Sequence, residues 1–242
     1  YRLAPPNFKV PKTPKLGKAT AAELVATLEN PNSWWRETAQ RLIFERQEKS
    51  AVEPLQKLIR QSANPLARLH ALWCLEGLGA LSGDEIALAL ADKSPGVREN
   101  ALKLSESRLA KSPVLLEKVV LLANDPEIRV RFQTALSLGE INSSKVATTL
   151  FSIAKRDPEN PWIRAAVLSC QPDVCVQLVR FLIGDEGFVR TPAGQNFLRQ
   201  LTFVLGAQNT IKNLYEILTS YGFIPYCECE IDESFLGGLG DG

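Results

Sequence analysis

The sequence predicts an all-α solenoid of paired helices, on three observations. An amide, hydroxyl or carboxylate residue followed by proline recurs at Asn30-Pro31, Asn64-Pro65, Ser94-Pro95, Asp125-Pro126 and Asn160-Pro161. An arginine follows each time, at Arg36, Arg68, Arg98, Arg131 and Arg164, with spacings of 32, 30, 33 and 33 residues. A period in that range marks a stack of repeats. Between these points apolar residues return at helical spacing, as Leu66, Leu69, Leu72 and Trp73 do, and no segment alternates in the period-2 manner of a strand. With 242 residues, 45% hydrophobic and 23% charged, the chain has the composition of an ordered protein and the length for a sizeable core.

The elements follow in order. Residues 1–19 carry Pro5, Pro6, Pro11 and Pro14 with Arg2, Lys9, Lys12, Lys15 and Lys18 and no acid. Proline fixes φ and removes a donor, so this stretch predicts an extended linker, whose basic residues offer a contact for an anionic partner. The start at Tyr1-Arg2-Leu3, with no Met anywhere in the chain, reads as a mature product, a processed piece or a fragment. From residue 20 each repeat has two helices. The first opens at the proline, where the preceding side-chain oxygen can accept from orphan N–H groups and proline loses no bond. It stops at glycine, with Gly77, Gly79 and Gly139 suited to a left-handed C-terminal position. The second helices are expected over residues 23–29, 52–61, 84–91, 112–123, 144–155 and 174–183. Thr20…Glu23 and Ser50…Glu53 have the spacing of a capping box at two such starts. Short apolar helices such as residues 86–90 need neighbouring repeats to cover them. From about residue 186 the repeat fades, and residues 193–207 and 210–221 read as two amphipathic helices. Residues 223–242 read as an acidic, Gly-rich tail.

Composition narrows the function. Lys and Arg number 28 against 27 Asp and Glu, a net of +1, which disfavours an electrostatic nucleic-acid binder. His70 is the one histidine, which argues against a multi-His metal or catalytic centre. It reads as a hydrogen-bonded, partly buried side chain. No uncharged run approaches a membrane span. No phosphate-loop, dinucleotide, nucleophile-elbow or zinc-protease motif is present, so no catalytic residue and no cofactor is expected. Cys74, Cys170, Cys175, Cys227 and Cys229 are odd in number and uneven in spacing, which is not a disulfide framework. Cys74 and Cys170 sit in apolar helical text. Cys227-x-Cys229 among carboxylates is a weak soft-metal signal.

The candidate site residues are the repeated arginines and the tryptophans: Trp34, Trp35, Arg36, Arg68, Arg98, Arg131, Trp162 and Arg164. The arginines read either as a ladder for phosphates or carboxylates or, more economically, as pairs with acids or helix-end carbonyls of the adjacent repeat, with Glu37, Glu76, Glu99 and Glu140 as the regularly placed acids. Tryptophan at helical spacing belongs to a core or to a stacking surface. Trp34 and Trp35 are adjacent, so both cannot face inward. Trp73 occupies a related middle position in its helix.

The segments Val97-Arg98-Glu99-Asn100-Ala101-Leu102 and Val130-Arg131-Phe132-Gln133-Thr134-Ala135-Leu136-Ser137-Leu138-Gly139 resemble HEAT repeats of the short bacterial kind, over roughly residues 20–185. The resemblance implies a right-handed α-solenoid of HEAT-like helical hairpins over residues 20–222. It implies a non-catalytic scaffold that docks a protein, or neighbouring domains of its own parent chain, on the face made by the second helices. A narrower likeness runs through Pro31–Leu42 and Ala67–Trp73, which resemble the HEAT segment of PVC-type membrane-bound dehydrogenases. It implies an extracytoplasmic (periplasmic) location within a larger dehydrogenase or cytochrome-type protein. Its company there would be a propeller resembling quinone-dependent sugar dehydrogenases and a c-type haem domain. No catalytic residue of that family maps onto this sequence. The alternatives are a HEAT-like lyase acting on a tetrapyrrole, a nucleic-acid-binding repeat protein, and a purely structural piece.

Overall fold

The computed structural model describes residues 8–9 and 14–207. Among them lie thirteen α-helices, three 3-10 helices and no strand, so the fold class is the all-α repeat solenoid that the sequence predicts. The chain divides into two compact units, Tyr1–Glu85 and Ile86–Gly242.

In the first unit α1 (Ala21–Thr27) opens on a complete capping box. Thr20 Oγ1 accepts from the Glu23 N–H, and the Thr20 N–H donates to Glu23 Oε2 at 2.8 Å. Ahead of it Leu16–Lys18 form a 3-10 turn rather than continuing the extended linker. Leu16 is buried, and Arg46 donates to the carbonyls of Leu16, Gly17 and Ala19 at 2.8–3.1 Å. One guanidinium thus satisfies the Gly17 and Ala19 carbonyls and adds a second donor to that of Leu16, which already accepts from the Ala19 N–H. Helix α2 (Ser33–Glu45) packs on α1, and α4 (Pro65–Gly77) packs on α2 and on α3 (Val52–Gln61). Their shared core includes Leu24, Leu28, Ile43, Leu55, Leu72 and Leu75. At 25 cal/mol or so per Å² such side chains supply the drive that short helices lack alone. Helix α5 (Gly83–Leu90) carries the chain onward.

The second unit holds α6 (Pro95–Leu109), α7 (Pro113–Leu121), α8 (Ile128–Gly139), α9 (Ser144–Arg156), α10 (Pro161–Leu168), α11 (Pro172–Gly184), the single turn α12 (Glu186–Val189) and α13 (Pro192–Ala207). The arginine-bearing helices stack in sequence, α6 on α8 and α8 on α10, and α13 takes the next place beside α10. The intervening helices form the second layer, with α9 on α11. Leu102, Leu109, Leu138, Leu150 and Ile153 are fully buried between the layers. Helix α13 comes so close to α12 that a Cβ on Gly194 would stand 2.1 Å from the Phe188 carbonyl oxygen, a contact only glycine permits.

Several expected details differ. Proline opens α4, α6 and α10 at their first position, but Pro31 and Pro126 precede the caps Asn32 and Glu127. The caps Asn32, Asn64, Ser94, Glu127 and Asn160 keep the arginine spacing, so arginine, not proline, sets the repeat frame. Ser50…Glu53 is not a capping box. The 3-10 turn Lys49–Ala51 runs directly into α3, leaving no chain end to cap, and Ser50 Oγ donates to Glu48 instead. A capping box does join Ser82 and Glu85. Of the expected stop glycines only Gly79 is left-handed (φ 64°). Gly77 is the last residue of α4, and its hydrogen faces the Phe44 ring. Gly139 ends α8 against the Cys170 backbone. Helix α2 ends through Gln47 at φ 48°, a left-handed conformation held by its own side chain, whose amide donates to the Phe44 carbonyl. The second helix expected at 210–221, the tail 223–242, Cys227 and Cys229 lie outside the described residues, as does most of the linker.

Candidate functional site

The arginines come first, because their geometry decides which residues remain for a partner. Each folds back onto its own turn. Arg36 Nη1 donates to the carbonyls of Asn30 and Pro31, and Arg68 Nη1 to that of Ser62. Arg98 Nη1 reaches those of Asp92 and Lys93, Arg131 Nη1 those of Asp125 and Pro126, and Arg164 Nη1 that of Pro158. Arg98, Arg131 and Arg164 also reach forward. Arg98 holds Asp125 with both Nε and Nη2, at 2.7 and 2.8 Å, and Arg131 holds Asp157 the same way, at 2.7 and 2.6 Å. These are fork-to-fork pairs, each with one buried and one nearly buried partner, of the geometry that orients planar groups best. Arg164 Nε bonds Gln200 Oε1 at 3.0 Å.

All three nitrogens of Arg98 and Arg131 therefore bond within the stack, and four of the five N–H donors of each are committed there. The acids they use are Asp125 and Asp157, at the turns before the next arginine-bearing helix, and not Glu37, Glu76, Glu99 or Glu140. Arg36 lacks such an acid. The corresponding turn residue is Ser62, whose hydroxyl donates to Glu29 at 2.5 Å, and Arg36 Nε is buried without a hydrogen-bond partner.

The tryptophans divide. Trp35 and Trp73 are half-buried, while Trp34 is 67% and Trp162 72% exposed. Both exposed rings occupy the second helical position after an asparagine cap. There the cap oxygen takes the residue's N–H (Asn32 Oδ1 at 3.0 Å from Trp34, Asn160 Oδ1 at 3.0 Å from Trp162) and the side chain points away from the layer behind.

Trp162 borders a groove of about 430 Å³ across α6, α8 and α10, all in the second unit. Ile128, Phe132 and Ile163 supply apolar walls, and Glu99, Lys103 and Arg129 a charged rim. Glu99 takes Lys103 at 3.1 Å and Arg129 at 2.9 Å, yet the Arg129 side chain stays 79% exposed. One acid between two cations leaves the rim net positive. Expected binding surfaces lay on the intervening helices, whereas this groove is on the arginine-bearing ones. Of its residues the sequence marks Trp162 as a candidate contact and Glu99 only as an acid for the arginines. Aligning the repeats on arginine would have placed Arg129 and Trp162 at the same position of adjacent helices and Phe132 one residue after Arg131.

His70 is half-buried with Nδ1 2.5 Å from Gln40 Oε1. Burial, then the Arg36 charge, hold it below its usual value near 6.5, and Glu37 opposes this. Cys74 is buried, and burial pushes its thiol up to about 12. Among the described residues no group of three His, Cys, Asp or Glu side chains could hold a metal ion, and no helix is long and apolar enough to cross a membrane.

Residues 84–170 match the HEAT repeats family, just over a third of the chain. That stretch is HEAT-like in sequence as well as in its hairpins, and repeats of this type generally mediate protein interaction. No curated protein and no solved structure matches the chain.

Proposed function

We propose that the protein is a non-catalytic repeat scaffold that docks another polypeptide in the groove between α6, α8 and α10. The observation that carries this is Trp162, a large aromatic ring left 72% exposed beside Phe132, Ile128 and the exposed guanidinium of Arg129. Exposed aromatic and arginine side chains on a concave wall are the groups that most often dominate a protein interface. The segment that fits brings an apolar or aromatic side chain for the groove and a carboxylate for Arg129.

The test uses the full chain, immobilised, as wild type, Trp162→Ala and Arg129→Glu. A protein retained by the wild type is purified and titrated against all three. The expected outcome is at least a tenfold loss of affinity in each variant, the size of a moderate hot spot. A partner that binds all three equally removes the groove from the interface.

A finer placement, inside a larger extracytoplasmic dehydrogenase or cytochrome-type protein whose domains the repeats would hold together, is supported by the resemblance of residues 31–42 and 67–73. The coding sequence on either side tests it. A propeller upstream and a Cys-x-x-Cys-His motif downstream are expected, and a frame with neither withdraws the placement.

A further inference from the structure

The start of α11 holds two thiols in contact. Cys170 lies just before the cap Gln171, and Cys175 is the fourth residue of the helix. These are the two positions at which apolar side chains staple the chain entering a helix. Here both positions are cysteine. The Sγ atoms are 3.3 Å apart, and the residues are 4% and 0% exposed. The turn that carries them is fixed on three sides. The Gln171 N–H donates to the Gly139 carbonyl at 3.0 Å, the Cys175 N–H donates to the Gln171 carbonyl at 3.0 Å, and the Cys170 Cα packs against Gly139, 3.5 Å from where a Cβ there would stand.

We propose that Cys170 and Cys175 form an intramolecular disulfide on exposure to a low-molecular-weight disulfide, turning the staple at the head of α11 into a covalent link. Closure asks the sulfurs to move from 3.3 Å to a bond of about 2.05 Å. The inference is separate from the docking groove and does not rest on it.

The chemistry is two thiol–disulfide exchanges. Cys175, as thiolate, attacks one sulfur of the oxidant RSSR. An S–S bond forms to the protein, the R–S–S–R bond breaks, and RS⁻ leaves and takes up the proton that Cys175 released. Cys170 then attacks Sγ of Cys175, expelling the second RS⁻, which takes the Cys170 proton. The dithiol loses two electrons and RSSR gains them as two RSH. Cys175 is the group suited to go first. Its hydrogen bond with Cys170 holds its thiol below the ordinary range, while that bond and burial push Cys170 up. The sulfurs are buried, so the oxidant reaches them in the locally opened states that a folded chain visits at the head of a helix.

One peptide reports the outcome, because trypsin cuts after Arg164 and Arg180 and leaves Cys170 and Cys175 together with no site between. The folded full chain is incubated with oxidised glutathione, quenched in acid, unfolded, alkylated with iodoacetamide and digested. Peptide 165–180 is expected to lose the mass of two hydrogens, to take no alkyl group, and to regain two alkylation sites after reduction. The Cys170→Ser chain is expected to stop at a glutathione adduct on Cys175. Helical circular dichroism confirms that each chain is folded. Two alkyl groups on the wild-type peptide overturn the proposal, and so does a glutathione adduct that persists in the wild type without closing.

Discussion

At the scale of the residue the strongest interactions are those that cannot fall back on water. Arg131 and Asp157 leave little side-chain surface exposed and share two hydrogen bonds. Removing one partner of a buried pair strands the other, at a cost near 3–5 kcal/mol. Arg131 keeps two backbone carbonyls, so Asp157→Ala should destabilise by about 2–4 kcal/mol. Arg129→Ala, at an exposed pair, should change stability by about 0.5 kcal/mol or less. Urea titration of both variants checks this, and equal losses would mean that burial is not what makes the ladder matter. His70 gives the pH dependence its sign. Its folded value is below the usual 6.5, so the unfolded chain binds the proton more readily. The stability that the neutral ring contributes is complete above 6.5 and is lost as pH falls through the lowered folded value. His70→Gln should flatten that part of the curve, seen as a smaller drop in urea midpoint from neutral to mildly acid pH than in the wild type. An undiminished drop would assign the effect to other groups. The sequence made the arginine period plain but pointed to the wrong acids. The side chain leaves its helix toward the following repeat, so its partner is fixed by the stacking of two turns and not by any spacing within one helix.

At the scale of the element what was legible is what is local. Helix positions, the Thr20–Glu23 box, the asparagine caps ahead of Pro65 and Pro161 and the left-handed Gly79 are all written within a few residues. Ser50…Glu53 shows the limit. The same spacing does nothing there because the preceding residues coil into a 3-10 turn that already supplies the first carbonyls of α3. Pro31 and Pro126 show it again, since an asparagine or aspartate before proline caps a turn as readily as a helix. Asn30 Oδ1 accepts from Asn32 N–H and Asp125 Oδ1 from Glu127 N–H, both at 2.9 Å. The contrast is measurable. Thr20→Ala removes a working cap and should cost about 1 kcal/mol. Ser50→Ala removes only a bond to the neighbouring Glu48 and should cost no more than about 0.5 kcal/mol. Matching losses in chemical denaturation would show that cap geometry is not what holds α1.

At the scale of the molecule the groove was beyond the sequence, because three helices from three repeats build it. The width between Lys103 on α6 and Trp162 on α10 is a product of stacking, not of any one segment. The same construction governs how damage spreads. Within the second unit each hairpin touches chiefly its neighbours, α9 packing on α8, α10 and α11. Leu150 on α9 is fully buried, and Leu150→Ala should cost about 2–5 kcal/mol. In a two-state globule that loss would be felt by every amide alike. In a stack of nearest-neighbour interfaces the weakened hairpin opens first, and protection elsewhere survives until its own interfaces fail. Hydrogen exchange of the Leu150→Ala chain should therefore rise most in α8–α11 and least in α6, which has no extensive contact with α9. A uniform rise from α6 to α13 would mean that the unit folds as one cooperative body, and the repeats, though alike in sequence, would not be energetic units.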